Sequence, residues 1–141
     1  MARMLYKIYQ QHIFPHLLNQ VMQTPALMAL RRELLLGVSN EVLEIGFGTG
    51  LNLPFYQLVD KLYALEPNAD IFRLAETRIQ QAAFPVEHIQ ASAETLPFAA
   101  NSLQHVVSTW TLCSIPDLEQ SLKEIYRGLQ PGGTLHVVEH V

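Results

Sequence analysis

One cysteine, Cys113, in 141 residues rules out an internal disulfide framework. The fold must rest on a packed core, and the thiol suits a reducing compartment. No apolar run approaches the ~18 residues that a membrane-spanning helix needs. The N-terminus lacks the basic start, apolar middle and small-residue cleavage site of a secretory leader, so a cytoplasmic location is expected. Charge is scarce as well. Only 16% of residues are charged and 49% are hydrophobic, where roughly 25% charged is usual for a soluble domain. Much of the chain is therefore expected to be buried, and its length suits one domain with a sizeable core. Internal repeats, low-complexity segments and linker-like stretches are also missing.

The net charge of −4 argues against generic nucleic-acid binding. Its distribution is uneven. Over residues 1–36, Arg3, Lys7, Arg31 and Arg32 face the single acid Glu33, a balance of +3 that leaves −7 on the remainder. An acidic body suits a cationic ligand. The basic arm could touch an anionic surface, including peripheral contact with a membrane.

Residues 2–21 place Leu5, Ile8, Tyr9, His12, Ile13, His16 and Leu17 three and four apart, one stripe of a helix that Pro15 should kink or divide. His12 and His16 have metal-ligand spacing but no third ligand nearby, so no metal site is expected. Thr24-Pro25 is a good start for a second helix, with Leu27, Leu30 and Leu34 on one face and Gly37 as a stop. From residue 41 the chain alternates. Strands are expected at 42–45, 61–66, 86–90, 103–109 and 134–139. Helices are expected after the glycines through about residue 59, from 69 to about 83, and from Pro116-Asp117 with Leu118, Leu122, Ile125 and Leu129 on one face. Alternating strands and helices imply a doubly wound parallel sheet with the N-terminal helices outside it. This divides the chain into a helical arm or lid, 1–38, and a core, 39–141.

Such sheets bind ligands beyond the carboxyl ends of their strands. At that edge lies Gly46-x-Gly48-x-Gly50, glycines that permit positive φ and close approach of a ligand to the backbone. A dinucleotide-binding oxidoreductase carries G-x-G-x-x-G instead, and the third glycine of that spacing would fall on Leu51. Glu44, two residues before the turn, also suits a cationic or amine-bearing ligand better than a phosphate.

The run Glu44-Ile45-Gly46-Phe47-Gly48-Thr49-Gly50 resembles the first motif of class I S-adenosylmethionine-dependent methyltransferases. The resemblance continues through Glu66, through Ala93-Glu94-x-Leu96-Pro97-Phe98, and through Leu122-x-Glu124-x-x-Arg127-x-Leu129-x-Pro131-Gly132-Gly133. Leu112-Cys113-Ser114 and the Glu139-His140-Val141 ending are similar to the methyltransferase-like 7 branch of the type 11 group. The resemblance covers about residue 40 onward and implies a Rossmann-like sheet of order 3-2-1-4-5. It implies S-adenosylmethionine as donor, S-adenosylhomocysteine as product and a small-molecule or lipid-like acceptor. Carried over residue by residue, the backbone of Gly46, Phe47, Gly48 and Gly50 would pack against the methionine part, with Glu44 supporting its ammonium, and Asn52 would belong to the cofactor site. Glu66 would accept from both ribose hydroxyls. Pro67 and Asn68 would border the adenine, and Ser92, Ala93 and Glu94 would read its edge. Thr109 and Trp110 would close over the methionine end.

The acceptor side is less defined. Methyl transfer from a sulfonium needs mainly alignment and exclusion of water, with a base only when the nucleophile arrives protonated. Cys113 and His140 are the catalytic candidates, with Tyr6, Tyr9, His12 and His16 in reach if the arm is a lid. Trp110 and Cys113 have core packing as their alternative, and Glu124 with Arg127 reads as helix packing. The antiparallel strands six and seven that usually follow strand five are absent from this sequence. That absence would leave strand five as an apolar edge suited to homo-oligomerisation. A catalytically silent module that binds S-adenosylmethionine is the alternative to an enzyme.

Overall fold

Short runs rich in Val, Ile and Leu form five strands in the computed structural model, which describes residues 1–140. Val141, the end of the Glu139-His140-Val141 ending, lies outside the described residues. The strands are β1 (Ser39–Ile45), β2 (Leu58–Leu65), β3 (Val86–Ile89), β4 (Leu103–Thr109) and β5 (Leu129–Val138). All neighbours are parallel, and the order is β3-β2-β1-β4-β5. This is the doubly wound order expected from the alternation. β1 and β4 lie inside the sheet, and the side chains of their carboxyl halves are buried on both faces. Val42, Leu62, Ala64 and Val107 pack with Leu35 and Val38 on one face, and Leu43, Ile45, Leu65 and Val106 pack with Leu96 and Ile125 on the other.

The connection from β1 to β2 contains no α-helix, contrary to the expectation of one reaching about residue 59. Only a single 3-10 turn, Leu53–Phe55, separates them, and β2 begins at Leu58. Pro54 supplies no amide donor for a longer helix, and the buried residues there, Leu51, Leu53 and Tyr56, are fixed by the core rather than by helical periodicity. The helix expected from 69 to about 83 is two, α4 (Ala69–Arg73) and α5 (Glu76–Gln81), parted at Leu74 and Ala75. β5 starts five residues earlier than expected and carries Pro131-Gly132-Gly133 within it as a bulge. Leu103 pairs with Leu129, but His105 pairs with Thr134. Gly132 takes φ +81 there, and Gly133 lies where a Cβ would be 2.9–3.1 Å from three backbone carbonyls.

Ahead of the sheet, α1 (Ala2–Ile8) and α2 (Phe14–Val21) are joined by a π-helical segment, Tyr9–Ile13. The backbone stays helical through both junctions. Pro15 thus neither divides the helix nor ends it; the wide turn sits just before it, where the proline's missing donor and its ring must be accommodated. The apolar stripe of this arm is not covered, since Leu5, Ile8, Ile13, Leu17 and Val21 are 43–57% exposed. α3 (Pro25–Leu35) starts at Thr24-Pro25 as expected, though the Thr24 hydroxyl makes no capping bond. Its buried face is also turned from expectation, because Arg31 and Leu35 are inside while Leu30 is exposed. α6 (Leu118–Gly128) is capped by Asp117, whose carboxylate accepts from Gln120 N at 3.0 Å. Ile125 is its buried anchor, and Leu122, expected to pack, is 41% exposed. Among the described residues no helix is long and apolar enough to cross a membrane, and no group of three or more His, Cys, Asp or Glu is placed to hold a metal ion.

The Gly133 contacts are with main-chain oxygens that cannot rotate away. Gly133→Ala should therefore lower the unfolding free energy by about 1–3 kcal/mol, seen as a lower urea midpoint at unchanged slope. An unaltered midpoint would show that the bulge relaxes freely.

Candidate functional site

The turn after β1 is built from glycines at three different kinds of constraint. Gly46, Gly48 and Gly50 take φ +67, +61 and +81, a region other residues enter only with strain. Gly46 is also wedged under the Thr111 side chain, which a Cβ would approach to 2.1 Å. Gly50 packs against Ala75, Leu53 and Phe47. The amides of Gly46 and Phe47 donate to the Leu65 carbonyl at 3.0 and 3.1 Å. Gly48 N donates to Glu66 Oε1 at 2.9 Å. The end of β1 is thereby tied to the end of β2.

Glu66 is the carboxylate at that edge. Its Oε2 accepts from Asn68 N at 2.9 Å, so each oxygen holds one backbone donor and keeps a free acceptor position. Burial raises its pKa, opposed by these two amide bonds. Two adjacent acceptors on one rigid carboxylate match the vicinal diol of a ribose.

Beneath the turn runs a buried polar layer. Glu44 is 1% exposed, and Tyr56 donates its hydroxyl to Glu44 Oε1 at 2.5 Å. Asn52 donates from its amide to Thr109 Oγ1 at 3.2 Å. Arg31 donates from one nitrogen to Asn52 Oδ1 at 2.8 Å and to Thr109 Oγ1 at 3.1 Å. Burial pushes the Glu44 carboxyl up to about 7, against the Tyr56 hydrogen bond and the Arg31 charge.

Above the turn lies a cavity of about 420 Å³, within the size range of small-molecule sites. Of the residues singled out in the sequence, Gly46, Phe47, Gly48, Glu66, Pro67, Ser92, Ala93, Thr109 and Trp110 line it. Five others support it from outside the wall. Glu44 and Asn52 lie in the buried layer, and Gly50 packs behind the turn. Asn68 caps α4, accepting from Asp70 N and Ile71 N at 2.9 and 3.2 Å. Glu94 joins the loop to α6, its carboxylate accepting from Asp117 N at 3.2 Å. Trp110 holds φ +51, strained for a bulky residue. It is kept there by its amide bond to Val138 O at 2.8 Å and by the Arg31 guanidinium 4.8 Å from its ring. Cys113 and His140 both border Trp110, the sulfur 3.9 Å from its carbonyl and the imidazole 6.0 Å between ring centres. Neither side chain lines the cavity.

The N-terminal helices contribute more than their sequence advertises. Phe14, Asn19, Met22 and Arg31 are part of the wall. Asn19 Oδ1 accepts from the Thr49 hydroxyl at 2.7 Å, and Arg78 donates to both Thr49 O and Asn19 Oδ1, at 3.0 and 3.3 Å. That latch fastens α2 to the glycine turn. Its signal in the sequence was thin: one asparagine in an apolar helix, with no periodicity to mark it. His12 and His16 are exposed and lie outside the cavity wall.

An acceptor pair for a sugar diol, a close-approach turn and largely apolar walls at the carboxyl edge of a doubly wound sheet are what a nucleoside-bearing ligand requires. Residues 43–137 match the family described as methyltransferase domain, and the chain belongs to that family, a class I S-adenosylmethionine-dependent methyltransferase fold. It is 37% identical over 113 residues to the thiol S-methyltransferase TMT1B of Rattus norvegicus, spanning 74% of this chain and 45% of the rat protein. It is 35% identical over 105 residues to the ubiquinone/menaquinone biosynthesis C-methyltransferase UbiE of Blochmanniella floridana, spanning 70% and 41%. The chain thus spans less than half the length of these curated relatives. Among solved structures, a SAM-dependent methyltransferase from Aquifex aeolicus superposes with TM-score 0.70 at 18% identity, over 89% of this chain and 72% of that one. The cyclase SpnF superposes with TM-score 0.69 at 21% identity, over 81% and 44%. These last two likenesses concern the fold alone.

Glu44 gives the site a pH signature. Its carboxyl ionises near 4.5 when exposed and near 7 in the fold, so the folded chain binds the extra proton between those values. Its contribution to stability is present at the acid end and lost as pH rises toward about 7. Glu44→Gln should flatten the difference in urea-unfolding free energy between about pH 5 and about pH 7.5 by up to ~3 kcal/mol. Parallel profiles for the two proteins would contradict this.

Proposed function

We propose that this chain binds S-adenosylmethionine in the cavity above the glycine turn and transfers its methyl group to a small-molecule acceptor. The observation that carries the reading is Glu66, whose two oxygens are fixed by Gly48 N and Asn68 N with an acceptor position left on each. When bound, S-adenosylmethionine supplies a methyl group already activated on a sulfonium sulfur. The chain's own residues bind, orient and exclude water. Glu66 holds the ribose, and Pro67, Ser92 and Ala93 border the adenine. The backbone at Gly46 and Gly48 receives the methionine part. Thr109 and Trp110 close its far end, with Phe14 and Met22 keeping water from the reacting centre. Alignment of this kind supplies the larger share of the barrier reduction for an in-line displacement.

A thiol is the acceptor class that the rat relative's name supports, at 37% identity over 113 residues. A thiol, with a pKa of about 8.5, is present in small part as the thiolate at neutral pH, and that species needs only placement against the donor. Methylation of a carbon or oxygen acceptor with thiols left untouched would displace this choice while leaving the donor site intact. Glu66→Ala should weaken S-adenosylhomocysteine binding by about tenfold or more, measured by isothermal titration. Unchanged affinity, or tight NAD binding in its place, would remove the reading.

The arm supports a second, independent reading, peripheral contact with an anionic membrane surface. Leu5, Tyr6, Ile8 and Ile13 are 43–65% exposed on it beside Arg3 and Lys7, and the first acid in the sequence is Glu33. A basic helix with an uncovered apolar face lies in the interface of such membranes. Co-sedimentation with phosphatidylserine vesicles should be strong at low salt, weaker at high salt, and lost on Ile8→Glu. Equal sedimentation with and without phosphatidylserine would contradict it.

A further inference from the structure

We infer that Glu139 is a positioning residue for the acceptor side, its carboxylate setting the turn that leaves β4 and with it the Trp110 and Thr111 portions of the cavity wall. The inference rests on the methyl-transfer reading and goes beyond it, because it assigns what fixes the end of the cavity that an acceptor must reach.

Glu139 follows β5 directly, and the register of the sheet brings it to the end of β4. Thr109 pairs with Val138, so the next residues along the two chains are Trp110 and Glu139. The backbone donors of three consecutive residues then go to the end of β5. Trp110 N donates to Val138 O at 2.8 Å, and Thr111 N and Leu112 N both donate to Glu139 Oε1 at 2.9 Å. Two amides on one carboxylate oxygen are charge-assisted bonds, stronger than neutral ones. They hold the start of the 3-10 turn Leu112–Ser114, whose Ser114 N donates back to Thr111 O at 2.9 Å.

This turn is a wall of the site. Trp110, Thr111, Ser114 and Ile115 all line the cavity. Its path needs support, because Trp110 holds φ +51, and backbone in that region persists only where its surroundings over-determine it. Val138 O and Glu139 supply that support from the strand side. The Thr111 side chain is seated where a Cβ on Gly46 would stand, so the same grip sets how the end of β4 meets the glycine turn. Glu139 itself is not part of the cavity wall and acts through the residues it holds. Its Oε2 is buried with no hydrogen-bond partner, and the ion pairs among the described residues do not involve it. A substitution there therefore acts on this turn, while Glu66 and its two amide donors at the end of β2 stay as they are. In-line displacement tolerates little misplacement, about 1 Å costing about a hundredfold in rate.

The test compares Glu139→Leu, which removes the acceptor oxygen, with Glu139→Gln, which keeps one oxygen for the two amides. Trp110 is the lone tryptophan, so acrylamide quenching of its fluorescence reports the turn without any ligand. Calorimetric titration of S-adenosylhomocysteine reports the donor site, and methylation of 2-mercaptoethanol reports kcat and KM. Glu139→Leu should quench more readily and lose about a hundredfold in kcat with its S-adenosylhomocysteine affinity kept; Glu139→Gln should stay near the wild type in all three. Unchanged quenching in Glu139→Leu, a kcat loss matched by an equal loss of donor affinity, or a Glu139→Gln as impaired as Glu139→Leu overturns the assignment. Should Glu139→Leu not fold, as judged by circular dichroism, Glu139→Asp keeps the charge but is one methylene too short, and should also quench more readily; wild-type quenching there overturns the assignment too. A wild-type chain that binds no S-adenosylhomocysteine removes the methyl-transfer reading, and the acceptor-side role falls with it even where quenching shows that Glu139 holds the turn.

Discussion

The turn that follows β1 is the constraint on which the site depends. Its three positive-φ glycines allow a backbone path that brings Gly46 N and Phe47 N onto the Leu65 carbonyl and Gly48 N onto Glu66. Thr111, leaving β4, closes on Gly46 from the other side where no Cβ could stand, and Glu139 Oε1 holds Thr111 N and Leu112 N at 2.9 Å each. Four strand ends are thus locked together at one point. A residue with a side chain at Gly46 would push apart the β1 and β4 ends, and the cavity between them would lose its floor.

Charge is handled on two levels around that point. Glu66, at the cavity surface, is kept near backbone donors and so remains available as an acceptor. Glu44 and Arg31, deeper, face one another across neutral groups rather than as a closed ion pair. A closed pair would have been self-sufficient and indifferent to ligand. The open arrangement leaves the layer responsive both to protons and to whatever charge enters the cavity, and Trp110, strained and stacked on Arg31, lies where that response meets the acceptor side.

Periodicity and turn chemistry made the sheet legible in the sequence. β4 ran from Leu103 to Thr109 as read, because a β-branched run between turn residues admits few alternatives. The connection after the glycines departs from the expected helix because Leu51, Leu53 and Tyr56 are fixed by the core and Pro54 supplies no amide donor, so only a 3-10 turn forms. The arm was half legible. Its helices were visible, but Arg31 and Asn19 were not, since a buried arginine and a latching asparagine have the same letters as surface residues. Glu66 and the glycines were legible for the opposite reason: a glycine triplet and a strand-end acid have few uses at the edge of a parallel sheet. Glu94 and Asn68 share that edge, yet their side chains are taken up by helix caps.

The most direct test of this account is a structure of the chain with S-adenosylhomocysteine. The account predicts both ribose hydroxyls within hydrogen-bond distance of the two Glu66 oxygens, with the homocysteine portion passing over Gly46 and Gly48. A nucleoside placed away from Glu66, with that carboxylate still bonded only to Gly48 N and Asn68 N, would contradict it.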